Sequence, residues 1–188
     1  MGRTLRGLLF DLDGTLIDTA AVNCGAYSAA LAEAGIVVDP KEVAAVAEGR
    51  HWSEFLPDLL QRAGAAIEPA TVARRKGELY RKMLGDTRLN GPLVALAASS
   101  RPHMRTAVVT TASEASVHAL LQRHEIAELF DVIVTGDDVA HRKPDPEAYL
   151  LALDRLRLGP DECLAFEDSD VGVQSAHTAG IAVIRVVF

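Results

Sequence analysis

The chain has 188 residues and a net charge of −7; 49% of its residues are apolar, 24% charged and only 5% aromatic. That length suits one domain, or a core with a modest insertion, and the composition is that of a globular protein with a core built mainly of Ala, Leu and Val. The acidic balance argues against a nucleic-acid surface, although a phosphate site needs only local positive charge.

Arg3 and Arg6 precede the apolar residues Leu8-Leu9-Phe10, and Asp11 cuts that run at once. It is too short for a signal peptide or a membrane span, so a cytoplasmic protein with no membrane partner is expected. Leu5 to Phe10 reads as a buried strand that ends in a polar loop. The next stretch, from about Thr19 to Arg88, shows no convincing strand. Gly35 closes a first helix, and Asp39-Pro40-Lys41-Glu42 carries the cap, the N1 proline and the glutamate of a helix start. Phe55, Leu56, Leu59 and Leu60 form an apolar stripe closed by Gly64. Thr71 to Leu84 is a charged helix in which Glu78 lies one turn from Arg74 and Lys82, so its basic face should be ion-paired and solvated.

Asn90-Gly91-Pro92 marks a return to alternating strands and helices. Ala107 to Thr110, Val132 to Val134, Leu164 to Phe166 and Ile181 to Val187 read as further buried strands separated by amphipathic stretches. The expected fold is therefore α/β: a Rossmann-like parallel sheet with helices on both faces, and a small all-helical cap inserted after the first strand. Residues 1–18 and 89–188 would form the core and residues 19–88 the cap. Cys24 and Cys163 have no metal-ligand spacing and read as reduced apolar residues. The six histidines are scattered likewise, and Asp137-Asp138 reads as a turn or cap.

The chemistry concentrates at strand ends. Asp11 and Asp13 alternate after the first strand, where an extended backbone puts both on one side, and Gly14 lets the chain turn away. Crowded carboxylates need a cation or a shared proton, and Mg²⁺ suits such oxygen ligands. A plain turn would explain Asp13-Gly14 alone. It does not explain Thr110-Thr111 after the second strand, Lys143-Pro144 after the third and Glu167-Asp168 at the fourth, each at the mouth of one crevice.

In this order, Phe10-Asp11-Leu12-Asp13-Gly14-Thr15, Val108 to Thr111, Lys143-Pro144-Asp145-Pro146 and Glu167-Asp168-Ser169 resemble the four motifs of the haloacid dehalogenase-like superfamily. The match spans nearly the whole chain and is closest to the subgroup with a small helical cap. The resemblance implies a magnesium-dependent phosphatase acting on a small phosphate monoester, such as a sugar phosphate. Asp11 would form an aspartyl-phosphate, and Asp13 would serve as acid and then base. Thr110 and Thr111 would bind the phosphoryl group, and Lys143 would stabilise it. Asp11, the Asp13 carbonyl and Asp168 would hold Mg²⁺, with Glu167 holding a metal-bound water and Thr15 orienting Asp13.

An aspartate at position 13 favours phosphoryl transfer over dehalogenation. The lack of a lysine in Glu48-Gly49-Arg50-His51-Trp52 disfavours phosphonatase chemistry. Asn23 stands where the resemblance to β-phosphoglucomutase-like enzymes would put a histidine, which lowers a sugar-phosphate mutase as the alternative. A non-enzymatic binding role would need a missing catalytic group. Arg50, His51 and Trp52 are candidate specificity residues of the cap; equally, Trp52 could pack at a helix start with Arg50 in solvent. Linkers near Leu16 to Ala20 and Asp86 to Pro92 would let the cap swing, with Gly91 adding flexibility. Many members of the superfamily continue beyond a fifth strand, so the edge near Phe188 leaves a monomer or a homodimer open.

Overall fold

The computed structural model describes residues 4–47 and 50–188; Arg3 and the Glu48-Gly49 part of the cap stretch lie outside the described residues. Gly7–Phe10 forms β1, with all four residues buried, as the apolar run dictates. A two-residue strand β2 (Ile17–Asp18) leads into four helices, α1 (Ala20–Glu33), α2 (Pro40–Ala47), α3 (Trp52–Arg62) and α4 (Pro69–Lys82). β3 (Arg88–Leu89) and α5 (Gly91–Ser100) follow, then β4 (Arg105–Val109), α6 (Glu114–Arg123), β5 (Val132–Val134) and α7 (Glu147–Leu156). β6 (Cys163–Glu167), α8 (Asp170–Thr178) and β7 (Ala182–Arg185) complete the series. The chain divides into two compact units, one of Met1–Asp18 with Arg88–Phe188 and one of Thr19–Thr87.

The helical unit is held by one apolar cluster, with Tyr27, Leu31, Val43, Phe55, Leu59 and Val72 at its centre. Tyr27 and Phe55 meet edge to face at 5.3 Å, a favoured aromatic geometry. Gly35 and Gly64 take positive φ just past the ends of α1 and α3, where a side chain would be strained. The start of α2 is fixed by Asp39, whose carboxylate accepts from the Lys41 N–H. On α4 the charged face is ion-paired as its spacing suggests: Arg74 and Arg75 both reach Glu78, and Arg75 also reaches Glu33 of α1.

The α/β unit is a five-stranded, fully parallel sheet in the order β5-β4-β1-β6-β7. The chain runs from β1 outward through β4 to β5, then returns to the other side of β1 for β6 and β7. The direction of strand order thus reverses beside β1, and in open parallel sheets the ligand crevice lies outside the strand ends at such a reversal. β1 and β4 are almost wholly buried, whereas β7 is largely exposed although it is as apolar as β1; the sequence suggested a buried strand over Ile181 to Val187, and the difference arises because β7 lies at the sheet edge with a neighbour on one side only. Phe10 and Phe166 stack at 4.9 Å across β1 and β6, fixing the two strand ends that carry the carboxylates.

The segments read as linkers contain a short antiparallel ribbon, β2 on β3, closed by an Asp18–Arg88 ion pair. Gly91 is the first residue of α5, behind an Asn90 cap. It is therefore held in a helix start, where the sequence suggested a flexible point. The two cysteines are unpaired thiols.

Candidate active site

Asp11 is the first residue beyond β1, and its N–H donates to the Phe166 carbonyl of β6, which fixes where the side chain starts. The loop that follows is tight: Gly14 N–H reaches the Ile17 carbonyl, and Leu16 and Ile17 N–H both reach the Leu12 carbonyl. Gly14 has φ +85°, and a Cβ on it would overlap Asp168 Oδ2. Glycine is thus needed twice, for the backbone conformation and for the approach of a carboxylate. Thr15 is buried with its hydroxyl 3.5 Å from Asp168 Oδ1.

Lys143, buried in the loop after β5, donates to Asp11 Oδ1 at 2.8 Å, the Val109 carbonyl at 2.8 Å and Glu167 Oε1 at 2.5 Å. An ammonium has three protons, so every donor is used. The sequence suggested that Lys143 meets the phosphoryl group; here its charge is held on the two carboxylates.

Glu167, at the end of β6, is fully buried. Its Oε1 accepts a second strong bond, from the Tyr149 hydroxyl of α7 at 2.6 Å. Its Oε2 is buried without a hydrogen-bond partner. A Cβ on Gly172 of α8 would overlap Oε2, so a small residue there makes room for the carboxylate. Ser169 caps α8 by accepting from the Gly172 N–H.

Among the described residues, Asp11, Glu167 and Asp168 can bring carboxylate oxygens within 4.8 Å of one another. Asp13 is outside that carboxylate cluster, where the sequence assigned only its backbone carbonyl to the metal. Three carboxylates against the Lys143 ammonium leave two negative charges, the number that one divalent cation neutralises. Burial pushes the Asp11 carboxyl well above the usual range; Lys143 opposes this, and Glu167 and Asp168 reinforce it. Burial and then Glu167 raise Asp168 as well. Burial disfavours the Lys143 charge, but Asp11 and Glu167 outweigh it and keep the amine protonated above the lysine range. Burial, with Glu167 next, keeps the Tyr149 phenol protonated and hence a donor. An all-oxygen donor set, excess negative charge and one unpartnered buried oxygen fit a hard divalent ion such as Mg²⁺.

Thr110 is buried directly after β4, and its N–H donates to the Val134 carbonyl of β5. Its hydroxyl oxygen accepts from the Ala112 N–H, which leaves the hydroxyl proton available to an anion. Thr111 is half-buried beside it, its carbonyl packed on Gly136.

In the helical unit, His51 caps α3: its ring nitrogen accepts from the Ser53 N–H at 3.4 Å, while Glu54 accepts from the His51 N–H at 3.4 Å. Arg50 folds onto the same turn, donating to the Glu54 carbonyl at 2.7 Å. Trp52 packs against the apolar cluster. All three therefore have structural work at a helix start, whatever else they do.

Tyr149 is the residue that sequence reasoning missed. It lies six positions after Lys143 in the first turn of α7, and a buried tyrosine on a helix reads as core packing. Asp137 and Asp138 serve as turn and cap acceptors, for Glu114 N–H and for Thr135 N–H and hydroxyl.

The family model described as haloacid dehalogenase-like hydrolase matches residues 8–186. The fructose-1-phosphate phosphatase YqaB of Escherichia coli is 33% identical over 96% of this chain and 95% of its own. Hexitol phosphatase A of the same organism is 34% identical over 96% of this chain and 82% of its own. A mutant of CbbY from Rhodobacter sphaeroides, solved with xylulose-(1,5)bisphosphate, superimposes with a TM-score of 0.88 at 31% identity, covering 98% of this chain and 87% of that one. No helix among the described residues is long and apolar enough to cross a membrane.

Proposed function

This chain belongs to the haloacid dehalogenase-like hydrolases, and on that premise we propose that it is a phosphatase for a small phosphorylated carbohydrate, with Asp11 as the nucleophile. The observation that carries the reading is the pairing of Asp11 with a fully engaged, buried Lys143 inside a carboxylate cluster at the strand-order reversal. The named activities of the phosphatase relatives support the substrate class.

Lys143 occupies Asp11 Oδ1 and leaves Oδ2 as the oxygen for attack on phosphorus. Displacement of the sugar hydroxyl would give an aspartyl-phosphate, splitting one difficult transfer into two easier ones. Asp13 would give its proton to the departing oxygen. As a carboxylate it would then take a proton from the water that cleaves the acyl phosphate. Thr110 would donate its remaining hydroxyl proton to a phosphoryl oxygen, with Thr111 beside it. Asp11, the Asp13 carbonyl and Asp168 would hold Mg²⁺, and Glu167 would hold one of its waters. When bound, that ion neutralises charge between carboxylate and phosphate. Arg50 and Trp52 are the proposed specificity residues of the helical unit.

The test is a panel of sugar and sugar-alcohol phosphates assayed for released phosphate with Mg²⁺ present. The expected result is turnover of one or a few members that excess chelator abolishes. Turnover undiminished by chelator, or no turnover of any member, counts against the reading.

A further inference from the structure

Glu167 is buried with its donors distributed unequally. Two strong donors, the Lys143 ammonium at 2.5 Å and the Tyr149 hydroxyl at 2.6 Å, converge on Oε1, and no donor reaches Oε2. They come from different elements, Lys143 from the loop after β5 and Tyr149 from α7. A carboxylate's terminal torsion is soft, so one donor alone would leave the plane of the group free to swing. Two fixed donors on one oxygen, from different elements, hold that plane and so fix where the other oxygen lies. They use up the lone pairs of Oε1 and leave Oε2 as the oxygen with spare accepting capacity. Packing does not require the hydroxyl: Tyr149 is fully buried, and phenylalanine would fill almost the same space. A hydroxyl buried there is favourable only because it meets a charged acceptor. The same ring faces the Lys143 ammonium at 5.2 Å from its centroid, so Tyr149 touches both charges that flank Asp11.

We propose that Tyr149 is a positioning residue of the divalent-cation site: with Lys143 it locks Glu167 by one oxygen, so that the other is presented to a water of the bound cation. This rests on the reading of the site as a Mg²⁺ site and adds a residue to it. Partners that hold a direct ligand typically change metal affinity 10- to 100-fold when lost, and Tyr149 stands further out, behind Glu167 and the water, so its effect should fall at or below the lower end of that range.

The test is Tyr149→Phe, with Mg²⁺ binding to the metal-free protein followed by titration calorimetry, apart from any assay of turnover. The dissociation constant for Mg²⁺ is expected to rise roughly 3- to 10-fold, the lower end of the effect of such partners or just below it. At saturating Mg²⁺ the KM for the sugar phosphate should stay at the wild-type value, because Tyr149 acts through Glu167. A purely structural tyrosine would lower the Tm and leave the Mg²⁺ constant unmoved, and that result overturns the proposal. A wild-type protein that binds no Mg²⁺ overturns the site reading and this inference together. A wild type that binds, with a variant that matches it, overturns this inference alone. Should Tyr149→Phe fail to fold, the wild type carries a second measurement. The chain has three tyrosines, so with 3-fluorotyrosine the Tyr149 resonance is identified by replacing Tyr27 and Tyr80 in turn. Saturation with Mg²⁺ should shift that resonance, and an unmoved resonance overturns the proposal.

Discussion

Replacing Lys143 by methionine separates two accounts of this lysine. In the structure it is a buried counter-ion with three acceptors, two of them carboxylates at 2.8 and 2.5 Å. Methionine keeps most of the volume and removes the charge, so Asp11, Glu167 and Asp168 would be left buried with no cation among them. Removing one partner of a buried ion pair costs about 3–5 kcal/mol, because the remaining charge stays desolvated. For a chain of this size each kcal/mol moves the Tm by about 2–4 °C, so the metal-free variant should melt roughly 6–20 °C lower. Calorimetry of the metal-free proteins at neutral pH reads this directly. Adding Glu167→Gln to Lys143→Met removes one of the stranded charges, so the double variant should melt above the single one, a coupling expected only of contacting groups. If Lys143→Met melts within about 2 °C of wild type and loses only turnover, the lysine is a ligand of the phosphate and the counter-ion account is wrong.

Asp11→Asn should lose essentially all turnover while its circular dichroism and Tm stay near wild type, since the change is almost isosteric, Lys143 keeps Glu167 as its counter-ion, and one of the crowded carboxylates is neutralised; retained phosphate release would sink the covalent mechanism. The pH response of stability follows from Asp11 and Asp168, whose carboxyls both lie above the ordinary range in the folded protein. Each binds its proton more tightly folded than unfolded, so their contribution is complete below the usual carboxylate pKa of about 4 and fades as pH rises through the raised values. Mg²⁺ competes with those protons, so the rise in Tm on adding it should be larger at pH 8 than at pH 5; an equal rise at both would contradict the assignment. His51→Ala should destabilise the helical unit by about 1 kcal/mol through loss of the α3 cap, read by its hydrogen exchange, whereas Arg50→Ala should change the ratio of activity on a sugar phosphate to that on a small generic ester. An unchanged ratio leaves Arg50 a helix-start residue only.

The carboxylates were legible because a parallel strand announces its end by a switch from apolar to polar residues. Phe10-Asp11, Val109-Thr110 and Phe166-Glu167 each carry that switch, and the sheet order then gathers them beside β1. The helical insertion was legible from its caps and stripes. The β2–β3 ribbon was not, because two residues per strand have no periodicity to detect. Lys143 was found as a residue while its acceptors were not, because one of them is the Val109 carbonyl and no pattern in the side chains records a backbone oxygen. His51 was grouped with Arg50 and Trp52 for its chemistry, yet imidazole is an uncommon substitute for the Ser, Thr, Asp or Asn that signals a helix start. Tyr149 was invisible for the opposite reason, since nothing in a sequence separates a buried tyrosine that donates from one that packs.

Stability alone would not select this cluster. Well-packed apolar residues of similar volume are often as stable as a buried ion pair, or more so. A network built only for stability would also share its donors between both oxygens of Glu167. Here both donors go to Oε1, and Gly172 leaves the space in which Oε2 sits unpartnered. An unsatisfied buried acceptor costs about 1–3 kcal/mol, and excess negative charge around Asp11 adds to that. Both costs have the same remedy, a divalent cation with its waters. It would supply positive charge to Asp11 and Asp168 and a donor to Oε2. The features that make the metal-free cluster unfavourable are thus the ones that would make it bind an ion strongly. They also explain why Lys143 is tied to the carboxylates: a single ammonium keeps the site foldable without the ion, yet leaves two negative charges for the ion to meet.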